Sequence, residues 1–329
     1  MAGVRSSDLE ALELFAGCSR DALAGLAARL EPITAAPGEV LVREGEPASR
    51  FLLVAAGRAD VARAGRNREV HVADVEPGMI VGELSLLRGT PRAATVTASE
   101  PLACFAGDEA AFLALLEVPG IADRLARTAR QRLAALVRPV PVRLRDDSEL
   151  LLRPVLPGDR ERLTDSLAHF SPETMHRRFL VGSTLTERAK AYLFDVDYVD
   201  HFVWVAVSRT DQLGVADARF IRDKADASVA EVAFTVADDY QGRGVGTLLL
   251  GALAVAARQS GVERFSASVL EDNRPMRAIL DHAGARWRSA GYGVVETEID
   301  VPAPSDFLPS DDLVPPLQEA VRRVLSLAD

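Results

Sequence analysis

The run VGELSLLRGTPRAATV, residues 81 to 96, holds one acid and one base suited to binding a small anionic ligand. Gly82 allows close approach of the backbone, and a short helical turn over 83 to 87 would direct free N–H groups at an anion. The forked, permanent charge of Arg92 suits a phosphodiester, and Glu83 can accept hydrogen bonds from a neighbouring hydroxyl. The alternative is an acid and a base that only cap two strands. The spacing favours a ligand that carries a phosphate beside a ribose hydroxyl.

A second run, QGRGVG at 241 to 246, follows a predicted strand and opens a predicted helix. A glycine-rich turn at a helix start offers backbone N–H donors to a pyrophosphate. The run is not a P-loop, because no Gly-Lys-Ser/Thr follows, and it lacks the third glycine of a dinucleotide-binding fingerprint. By itself the run indicates only an anion-binding turn.

The elements that must position the first run form a distinct half of the chain. Leucines at helical spacing predict a helix over 8 to 30. Short segments bounded by glycines, from about 38 to 107, predict an all-β roll or barrel. Helical spacing returns over 108 to 116 and over 121 to 137. Two prolines in RPVPVRLRDD, residues 138 to 147, end that helix and predict an interdomain linker.

The second half alternates strands with helices, which predicts a mixed α/β domain. A strand over 150 to 155 precedes a largely helical region over 157 to 193. Three strands that form a predicted antiparallel set follow, over 201–208, 214–223 and 229–238. The remaining predicted elements are a helix over 246–259, a strand over 264–271, a helix over 275–283, a strand over 293–300 and a short amphipathic tail helix over 315–328.

The first half resembles the cyclic-nucleotide-binding domains over about 9 to 137, since GELSLL followed by PRAATV matches their phosphate-binding cassette. The family's turn glycines are matched by Gly38, Gly57 and Gly78. The resemblance implies that Glu83 meets the ribose 2′-hydroxyl and that Arg92 holds the phosphate with nearby N–H groups. The implied nucleotide-binding residues are Gly82, Glu83, Leu84, Ser85, Arg92, Ala93 and Ala94. Ala93 stands where cGMP-selective members often carry Thr or Ser, so the resemblance favours cAMP. The alternative is a degenerate roll that binds no nucleotide.

The second half resembles the GNAT acetyltransferases from about 148 to 301, because Gln-x-x-Gly-x-Gly follows an antiparallel strand. EDNRPMRAILDHAGA resembles the strand, loop and helix that come next, with Asn273 as the loop asparagine. The resemblance implies that a free N–H near Val236 holds the thioester carbonyl and stabilises the oxyanion. The implied acetyl-CoA-binding residues are Phe234, Thr235, Val236, Gln241, Gly242, Arg243, Gly244, Val245, Gly246 and Asn273.

Glu231 lies ten residues before the glycine loop and is poorly explained as part of a core. On a period of two it shares a strand face with small or apolar residues, Ala233, Thr235 and Ala237. It resembles the general base of lysine acetyltransferases, which takes a proton from the substrate ammonium. The structural alternative is an ion pair with Arg219 or Arg222 on the adjacent strand. Many GNAT members carry a proton-donating tyrosine where this chain has Leu280, so we assign no general acid.

Composition and charge limit the classes of function. The chain has no run of eighteen apolar residues and no signal-peptide core, and its two cysteines form no ligand pattern, which predicts a cytoplasmic protein without a membrane span. Its five histidines show no metal-binding spacing, so no metal is predicted. Residues 1–145 carry 18 basic and 18 acidic side chains, whereas 146–329 carry 20 and 30. The acidic second half argues against nucleic acid and favours a cationic partner, with plain solubility as the alternative explanation of the charge.

Together the two resemblances predict an α+β protein similar to the cAMP-regulated protein lysine acetyltransferases of mycobacteria. The predicted domains are a cyclic-nucleotide-binding regulatory domain (1–137), a linker (138–147), a GNAT domain (148–301) and a C-terminal tail (302–329). The implied reaction moves acetyl from acetyl-CoA to exposed lysines of proteins, such as acyl-CoA synthetases or universal stress proteins, under activation by cAMP. In the resting form the 157–193 segment, the sensor or the tail would cover the substrate site.

Three alternatives remain open at this point. A cAMP-dependent transcription factor often carries the same sensor, although no recognition helix is visible after it here. A small-molecule N-acetyltransferase under cAMP control would use the same transferase motifs. A cAMP-binding adaptor with an inactive GNAT domain would keep the motifs without transferring acetyl.

Overall fold

The computed structural model describes residues 3–64, 69–156, 158–159, 171–179, 196–210 and 213–326 of the chain. They fall into two units, which divide within one helix after Ala129. The first unit contains two four-stranded sheets and the second contains one eight-stranded sheet. This is the predicted α+β class, a β-roll with flanking helices followed by a mixed α/β domain. No helix in these ranges is long and apolar enough to cross a membrane.

The single helix predicted over 8 to 30 is wrong, because the chain turns twice within it. Gly17, at φ +80°, redirects the backbone, and Ser19 then starts a new helix by accepting a hydrogen bond from the N–H of Ala22 at 3.3 Å. Helical spacing of the leucines indicated which side chains are buried but not where the helix is interrupted. The observed elements are α1 (Ser6–Glu10), a 3₁₀ turn (Glu13–Phe15) and α2 (Arg20–Ala27).

The β-roll consists of two antiparallel sheets with strand orders β1-β8-β3-β6 and β2-β7-β4-β5. Leu52, Val54 and Cys104 lie in the apolar core of the roll. Gly57, at φ +84°, turns β3 into β4 where a Cβ would collide with the carbonyl oxygen of Pro101. The strands are β1 (Glu31–Ala35), β2 (Val40–Val42), β3 (Arg50–Ala56), β4 (Ala59–Ala64), β5 (Glu69–Val75), β6 (Ile80–Val81), β7 (Thr95–Ala98) and β8 (Leu102–Asp108).

Three further helices belong to this half of the chain, α3 (Glu83–Arg88), α4 (Glu109–Glu117) and α5 (Ile121–Ala135). The second apolar cluster of the first unit joins α1, α2 and α4 to one sheet of the roll. Phe112 of α4 packs edge-on against Phe51 of β3, with ring centroids 5.6 Å apart. The flanking helices therefore close the open side of that sheet.

The second unit is built on one mixed sheet with the order β15-β16-β14-β13-β12-β11-β10-β9. The strands predicted over 201–208, 214–223 and 229–238 are antiparallel neighbours, as expected. The sequence analysis missed β15, which has no buried residue to give it an apolar face. The strands are β9 (Val140–Arg143), β10 (Glu149–Pro154), β11 (His201–Ser208), β12 (Gly214–Arg222), β13 (Val229–Val236), β14 (Arg264–Leu270), β15 (Arg288–Gly291) and β16 (Val294–Asp300).

Part of the predicted linker over 138 to 147 is a strand, which corrects that prediction. Residues Val140–Arg143 form β9 and pair antiparallel with β10, and Pro141 lies opposite Leu151. Proline is tolerated there because β9 is at the edge of the sheet, where one side needs no ladder hydrogen bonds. Val140 and Val142 are buried, whereas both prolines face solvent.

Helices lie against the sheet of the second unit and fill its core. They are α6 (Pro172–Phe179), α7 (Val245–Gln259), α8 (Arg274–His282) and α9 (Val314–Leu325). The indole N–H of Trp204 on β11 donates to the carbonyl oxygen of Ala252 at 2.9 Å, which fixes α7 against the sheet. Of the helical region predicted over 157–193, α6 is helical, and the rest lies outside the described residues apart from Gly158, Asp159 and Ser171.

The C-terminal segment is part of the core of the second unit rather than a loose tail. Helix α9 packs on α7 and buries four residues, Leu317, Ala320, Val321 and Val324. Their spacing puts them on one helix face, which needs apolar partners to be stable. This packing corrects the prediction of the tail as a lid over the substrate site.

The packing of α9 predicts the effect of shortening one core side chain. Leu317 is 0% exposed, so Leu317→Ala should lower the free energy of unfolding by about 2–5 kcal/mol, because it removes buried methyl groups and leaves a cavity. Tryptophan fluorescence during urea unfolding measures this, since both tryptophans, Trp204 and Trp287, lie in the second unit. Exposed Gln318→Ala is the control, expected within about 0.5 kcal/mol of the parent. Equal stability of the two variants would contradict a structural role for α9.

Candidate functional site

A cleft opens in the second unit where two parallel strands separate. Strands β13 and β14 are paired over Val229–Glu231 and Arg264–Ser266 alone. Beyond these residues a cavity of about 580 Å³ lies between the two strands and the start of α7. Val232 to Val236 line one wall, and Ser268 and Val269 line the other. A gap of this kind is large enough for a ligand to take the place of the missing strand contacts.

Backbone donors of β13 face this cleft. The N–H of Ala237 donates to the carbonyl oxygen of Val215 on the opposite side, at 2.8 Å. Because N–H direction alternates along a strand, the N–H groups of Phe234 and Val236 point toward β14 and therefore into the cleft. The Val236 carbonyl accepts a hydrogen bond from the Gln241 side chain at 3.1 Å. This contact ties the glycine loop to the end of the strand.

The glycine loop exposes backbone to the cavity. Gly242 and Gly244 lie in the left-handed region at φ +74° and +87°, which strains residues with a Cβ. Gly244 is the N-cap of α7, and no side chain from the described residues caps that helix start. A Cβ on Gly246 would lie 2.6 Å from Cδ1 of Ile279, so this glycine lets α7 and α8 approach closely. The first N–H groups of α7 are therefore directed at an anion-sized space.

The structure brings almost all the predicted transferase residues to this one cavity. Those that line it are Glu231, Phe234, Thr235, Val236, Gln241, Gly242, Gly244, Val245, Gly246 and Asn273. Arg243 is the exception, because its guanidinium pairs with Asp146 at 2.9 Å and lies over the Tyr240 ring in an adjoining cavity. Asn273 also has a structural role, since its Oδ1 accepts from the N–H of Met276 and caps α8.

Glu231 is exposed and projects into the cleft at the point where the strands separate. The two arginines weighed as its ion-pair partners are engaged elsewhere. Arg219 pairs with Asp217 at 2.8 Å, and Arg222 pairs with Asp200 at 3.0 Å. Over the parts of the chain that are described, no ion pair joins Glu231 to either arginine. A carboxylate placed in this way can reach a substrate amine in the same cleft.

The sequence analysis missed a buried polar group on the face of the sheet that carries Glu231. The register of β11, β12 and β13 places Asp217 opposite Thr235 and Arg219 opposite Ala233. Arg219 also lies 3.4 Å from Nε2 of His201, and all three polar groups are buried. Asp217 and Arg219 alternate with apolar residues in VADARF, a pattern typical of an ordinary half-exposed strand. The pattern therefore marks these two residues as polar but does not show that they are buried.

The start of α6 and the preceding Ser171 are held at the edge of the cleft by Asp238. Oδ1 of Asp238 accepts from the hydroxyls of Thr174 (2.7 Å) and Ser171 (3.0 Å), and Oδ2 accepts from the Ser171 N–H at 2.8 Å. Thr174 and Arg177 then line the cavity. Partial burial acts to raise the pKa of Asp238, but these hydrogen bonds outweigh it and hold the pKa below its ordinary value.

Among the described residues, histidines and cysteines add no further reactive group to the cleft. His176 on α6 is exposed, and His169 lies outside the described residues. Asp60, His71 and Asp74 could share an ion by distance, but all three are exposed on the roll and we assign no metal there. Both cysteines are free thiols, and burial raises the pKa of Cys104 to about 11, which leaves that thiol protonated.

The second site lies in the first unit, where Glu83 and Arg92 are both buried. Gly82 at φ +89° starts α3, and Glu83 is the first residue of that helix. The Arg92 guanidinium donates to the carbonyl oxygens of Gly82 (3.0 Å) and Arg50. Burial and the nearby Arg50 charge lower the pKa of Arg92, and the carboxylates of Glu83 and Glu46 oppose this shift.

The remaining predicted residues of this site surround the same turn. Ser85 is buried and donates to the Pro91 carbonyl at 3.2 Å, while the Arg92 N–H donates to the Glu46 carbonyl at 2.8 Å. Leu84 and Ala94 are half-buried, and Ala93 is exposed. A Cβ on Gly82 would collide with the Arg92 guanidinium, so only glycine leaves this arginine its position. The turn thus presents α3 N–H groups and an arginine side by side.

Two family models match the chain, one over each of the ranges that contain these sites. Residues 32–118 match the model of the cyclic nucleotide-binding domain, and residues 149–286 match that of the acetyltransferase (GNAT) domain. The protein is therefore an acetyltransferase whose catalytic domain follows a cyclic nucleotide-binding domain. The two resemblances drawn from the short sequence runs are confirmed.

Relatives define the family more closely. Over 323 residues the chain is 50% identical to acetyltransferase Pat of Mycolicibacterium smegmatis, covering 98% of this chain and 97% of the relative. A solved structure of a cAMP-binding acyltransferase from Mycobacterium smegmatis matches with a TM-score of 0.51 at 45% identity, over 98% of this chain and 97% of that one. Acetyltransferase PA5475 of Pseudomonas aeruginosa is 32% identical over 41% of this chain and 73% of its own length. The chain belongs to the family of the Pat acetyltransferases.

The Asp238 contacts predict how firmly α6 is held. Asp238→Ala should raise amide hydrogen exchange in Pro172–Phe179 about tenfold, because hydrogen bonds to a carboxylate are lost. Asp239→Ala is the matched control, since this neighbouring acid is exposed and does not contact α6 in the described structure. Unchanged exchange in the Asp238 variant would contradict the contact.

The same contact fixes a dependence on pH. Since the pKa of Asp238 is lowered in the folded state, its hydrogen bonds are kept above the ordinary carboxyl pKa and are lost as pH falls through the lowered value. The difference in exchange between the parent and Asp238→Ala should therefore disappear only in strong acid.

Proposed function

We propose that this enzyme transfers acetyl from acetyl-CoA to lysine ε-amino groups of proteins, and that cAMP increases the rate. The observation that supports the reaction best is the position of Glu231, an exposed carboxylate at the point where β13 and β14 separate, in a cleft that also contains the glycine loop. A base and an anion-binding helix start in one cavity suit a reaction between an amine and a phosphate-bearing acyl donor.

The residues of the cleft fit acetyl-CoA, which supplies an acetyl group activated as a thioester. Gly242 and Gly244 leave backbone N–H groups at the start of α7 accessible to the pyrophosphate, while Gly246 lets α8 pack close to that helix. The pantetheine arm and the thioester carbonyl take the place of a neighbouring strand, and they accept hydrogen bonds from the N–H groups of Phe234 and Val236. Donors fixed in this way stabilise negative charge on that oxygen better than mobile water does.

Glu231 acts on the amine. Lysine is protonated near neutral pH and cannot attack a carbonyl until it loses a proton, which the Glu231 carboxylate accepts directly or through water. We assign no general acid, because the position where many GNAT members carry a proton-donating tyrosine is Leu280 here, which is buried and apolar. A thiolate is a fair leaving group near neutral pH, so water suffices to protonate it.

The protein substrate is supported by charge. The excess of acidic over basic residues lies entirely in the second half of the chain. Such a surface attracts lysine-bearing partners and repels nucleic acid. Acyl-CoA synthetases and universal stress proteins, the substrate types implied by the family resemblance, are the first to test. The two free cysteines suit the predicted reducing cytoplasm.

The effector is supported by the turn that holds Glu83 and Arg92. Arg92 now donates to two backbone carbonyls, and a cyclic phosphate would offer it a stronger, charged acceptor. Glu83 would accept from the ribose 2′-hydroxyl, with Ser85 and the N–H groups of Leu84, Ala93 and Ala94 around the phosphate. The cAMP-binding description of the M. smegmatis acyltransferase agrees with this choice of nucleotide.

We further propose that the resting form is covered by the 157–193 segment. Thr174 and Arg177 of α6 line the same cavity as Glu231, so α6, the described part of that segment, lies where an amine substrate must approach. Asp238 holds it there through hydrogen bonds that can be exchanged for water at modest cost.

The function is tested by mass change on candidate proteins incubated with acetyl-CoA, with and without cAMP. Acetylation of lysines that cAMP stimulates is the expected result. Acetylation of polyamines but not of proteins would indicate that the substrate is a small amine instead of a protein. Absence of transfer to any acceptor, with binding of cAMP retained, would indicate an adaptor with an inactive transferase domain.

Replacing the proposed base gives a sharp kinetic test. Glu231→Gln should bind acetyl-CoA normally and slow transfer about 10²–10⁴-fold at neutral pH. The defect should shrink in alkali, where free amine no longer needs a base. Glu263→Gln, an exposed acid outside the cleft, is the control and should keep the parent rate. A small defect, or one equal at every pH, would exclude Glu231 as the base.

Replacing the phosphate ligand tests the effector site. Arg92→Ala should weaken cAMP binding about 10- to 150-fold, because a charge-assisted hydrogen bond is worth about 1.5–3 kcal/mol. A coupling of about 1–3 kcal/mol between the sites predicts 5- to 150-fold activation of the parent by cAMP, which this variant should lose. Calorimetry and initial rates measure both. Arg58→Ala, an exposed arginine of the same roll, should bind cAMP like the parent; unchanged affinity in Arg92→Ala would overturn the site.

A further inference from the structure

A second cavity of about 460 Å³ adjoins the cleft at the glycine loop and has no part in the chemistry described above. The two cavities share four lining residues, Arg145, Gly244, Thr247 and Ile279. The other walls come from β9, α8 and the segment 306–309 that precedes α9. A ligand that lies along the cleft and extends past the glycine loop would therefore continue into this second cavity.

The walls of the second cavity are basic, although the domain is acidic overall. Three arginines line it, Arg143, Arg145 and Arg243, whereas Asp306 is the one carboxylate among its lining residues. His282 and Phe307 add two aromatic rings that pack edge to face, with centroids 5.1 Å apart. A basic wall beside aromatic rings suits a nucleotide more than it suits an amine substrate.

Two of the three arginines are already paired. Arg243 binds Asp146 at 2.9 Å, and Arg143 lies 3.6 Å from Glu149 and 3.9 Å from Asp147. Arg145 differs from them, because no ion pair joins it to any residue within the described ranges. Its charge is thus the least compensated one at the cavity wall.

The position of Arg145 places this charge beside the loop. Its Nε lies 3.7 Å from the point where a Cβ of Gly244 would be, so the side chain passes over the N-cap of α7. The residue follows β9 in the turn toward β10, a region that the sequence analysis assigned to a linker. The edge strand therefore delivers a cation to the junction of the two cavities.

An acyl-CoA has the dimensions and charges that this arrangement requires. This step rests on the proposed function: with the thioester between β13 and β14 and the pyrophosphate at the loop, the adenosine continues past Gly244. That adenosine carries a 3′-phosphate, a doubly charged group at neutral pH that suits a forked guanidinium. We propose that Arg145 binds the 3′-phosphate of acyl-CoA in the second cavity, with Arg143 adding positive charge, and so makes the enzyme prefer CoA esters to their dephosphorylated forms.

Calorimetry with CoA and with 3′-dephospho-CoA tests this assignment without measuring catalysis. The parent enzyme should bind CoA about five- to thirtyfold more tightly than dephospho-CoA, as expected for one charge-assisted contact at an exposed site. Arg145→Ala should reduce this preference to about twofold or less while binding dephospho-CoA as the parent does. If the Arg145 variant binds dephospho-CoA with the affinity of the parent enzyme, this also shows that the variant is folded.

Arg288→Ala is the matched control, because it removes one exposed arginine of the same domain outside both cavities and should keep the preference of the parent. A parent enzyme that binds both ligands equally, or an Arg145 variant that keeps the full preference, would overturn the proposal. Equal weakening of both ligands by Arg145→Ala would move the contact to the pyrophosphate and also overturn it. A parent that binds neither ligand would instead remove the proposed acetyl-CoA reaction itself.

Discussion

The separation of β13 from β14 after Glu231 is the constraint on which the transferase site depends. Each strand is held on its outer side by a continuous ladder, β13 by β12 and β14 by β16, so the two can diverge without losing the sheet. The divergence leaves N–H groups of Phe234 and Val236 directed at a cleft instead of a strand. Backbone donors in such a place need a partner, and a ligand or water must supply it. The fold thus creates a binding requirement before any side chain is considered.

The other half of the site depends on the rigidity of α7. This helix is apolar over most of its surface and is buried along its length, and Trp204 is hydrogen-bonded to its backbone. A helix fixed in this way holds its first N–H groups in place, so an anion there is bound by groups that need no reorganisation. The left-handed Gly244 keeps that helix start accessible, and Gly246 lets α8 pack closely beside it. The proposed base and the proposed anion site are therefore both attached to elements that the core holds still.

Much of this could be predicted from the sequence, because the informative residues are local. A period of two placed Glu231 on the cleft face, and the glycine spacing placed the loop at a helix start. What could not be predicted depends on distant partners or on position in the sheet. Asp238 and Thr174 are 64 residues apart, and no local pattern indicates their contact. Pro139 and Pro141, just before and within β9, suggested a linker, because an edge strand that tolerates proline cannot be recognised before the sheet order is known.

The correction at β9 also resolves a conflict in the charge of the domain. An acidic surface favours a lysine-bearing protein, yet the proposed acyl donor is a polyanion that the same surface repels. Fields of exposed charges are screened within about 8 Å at physiological ionic strength, so nearby groups decide the outcome for each ligand. Backbone N–H groups at α7 and the arginines delivered by β9 surround the far end of the cleft, while Glu231 stands at the other. Opposite ends of one cleft can therefore attract a cation and an anion at once, which a transfer between them requires.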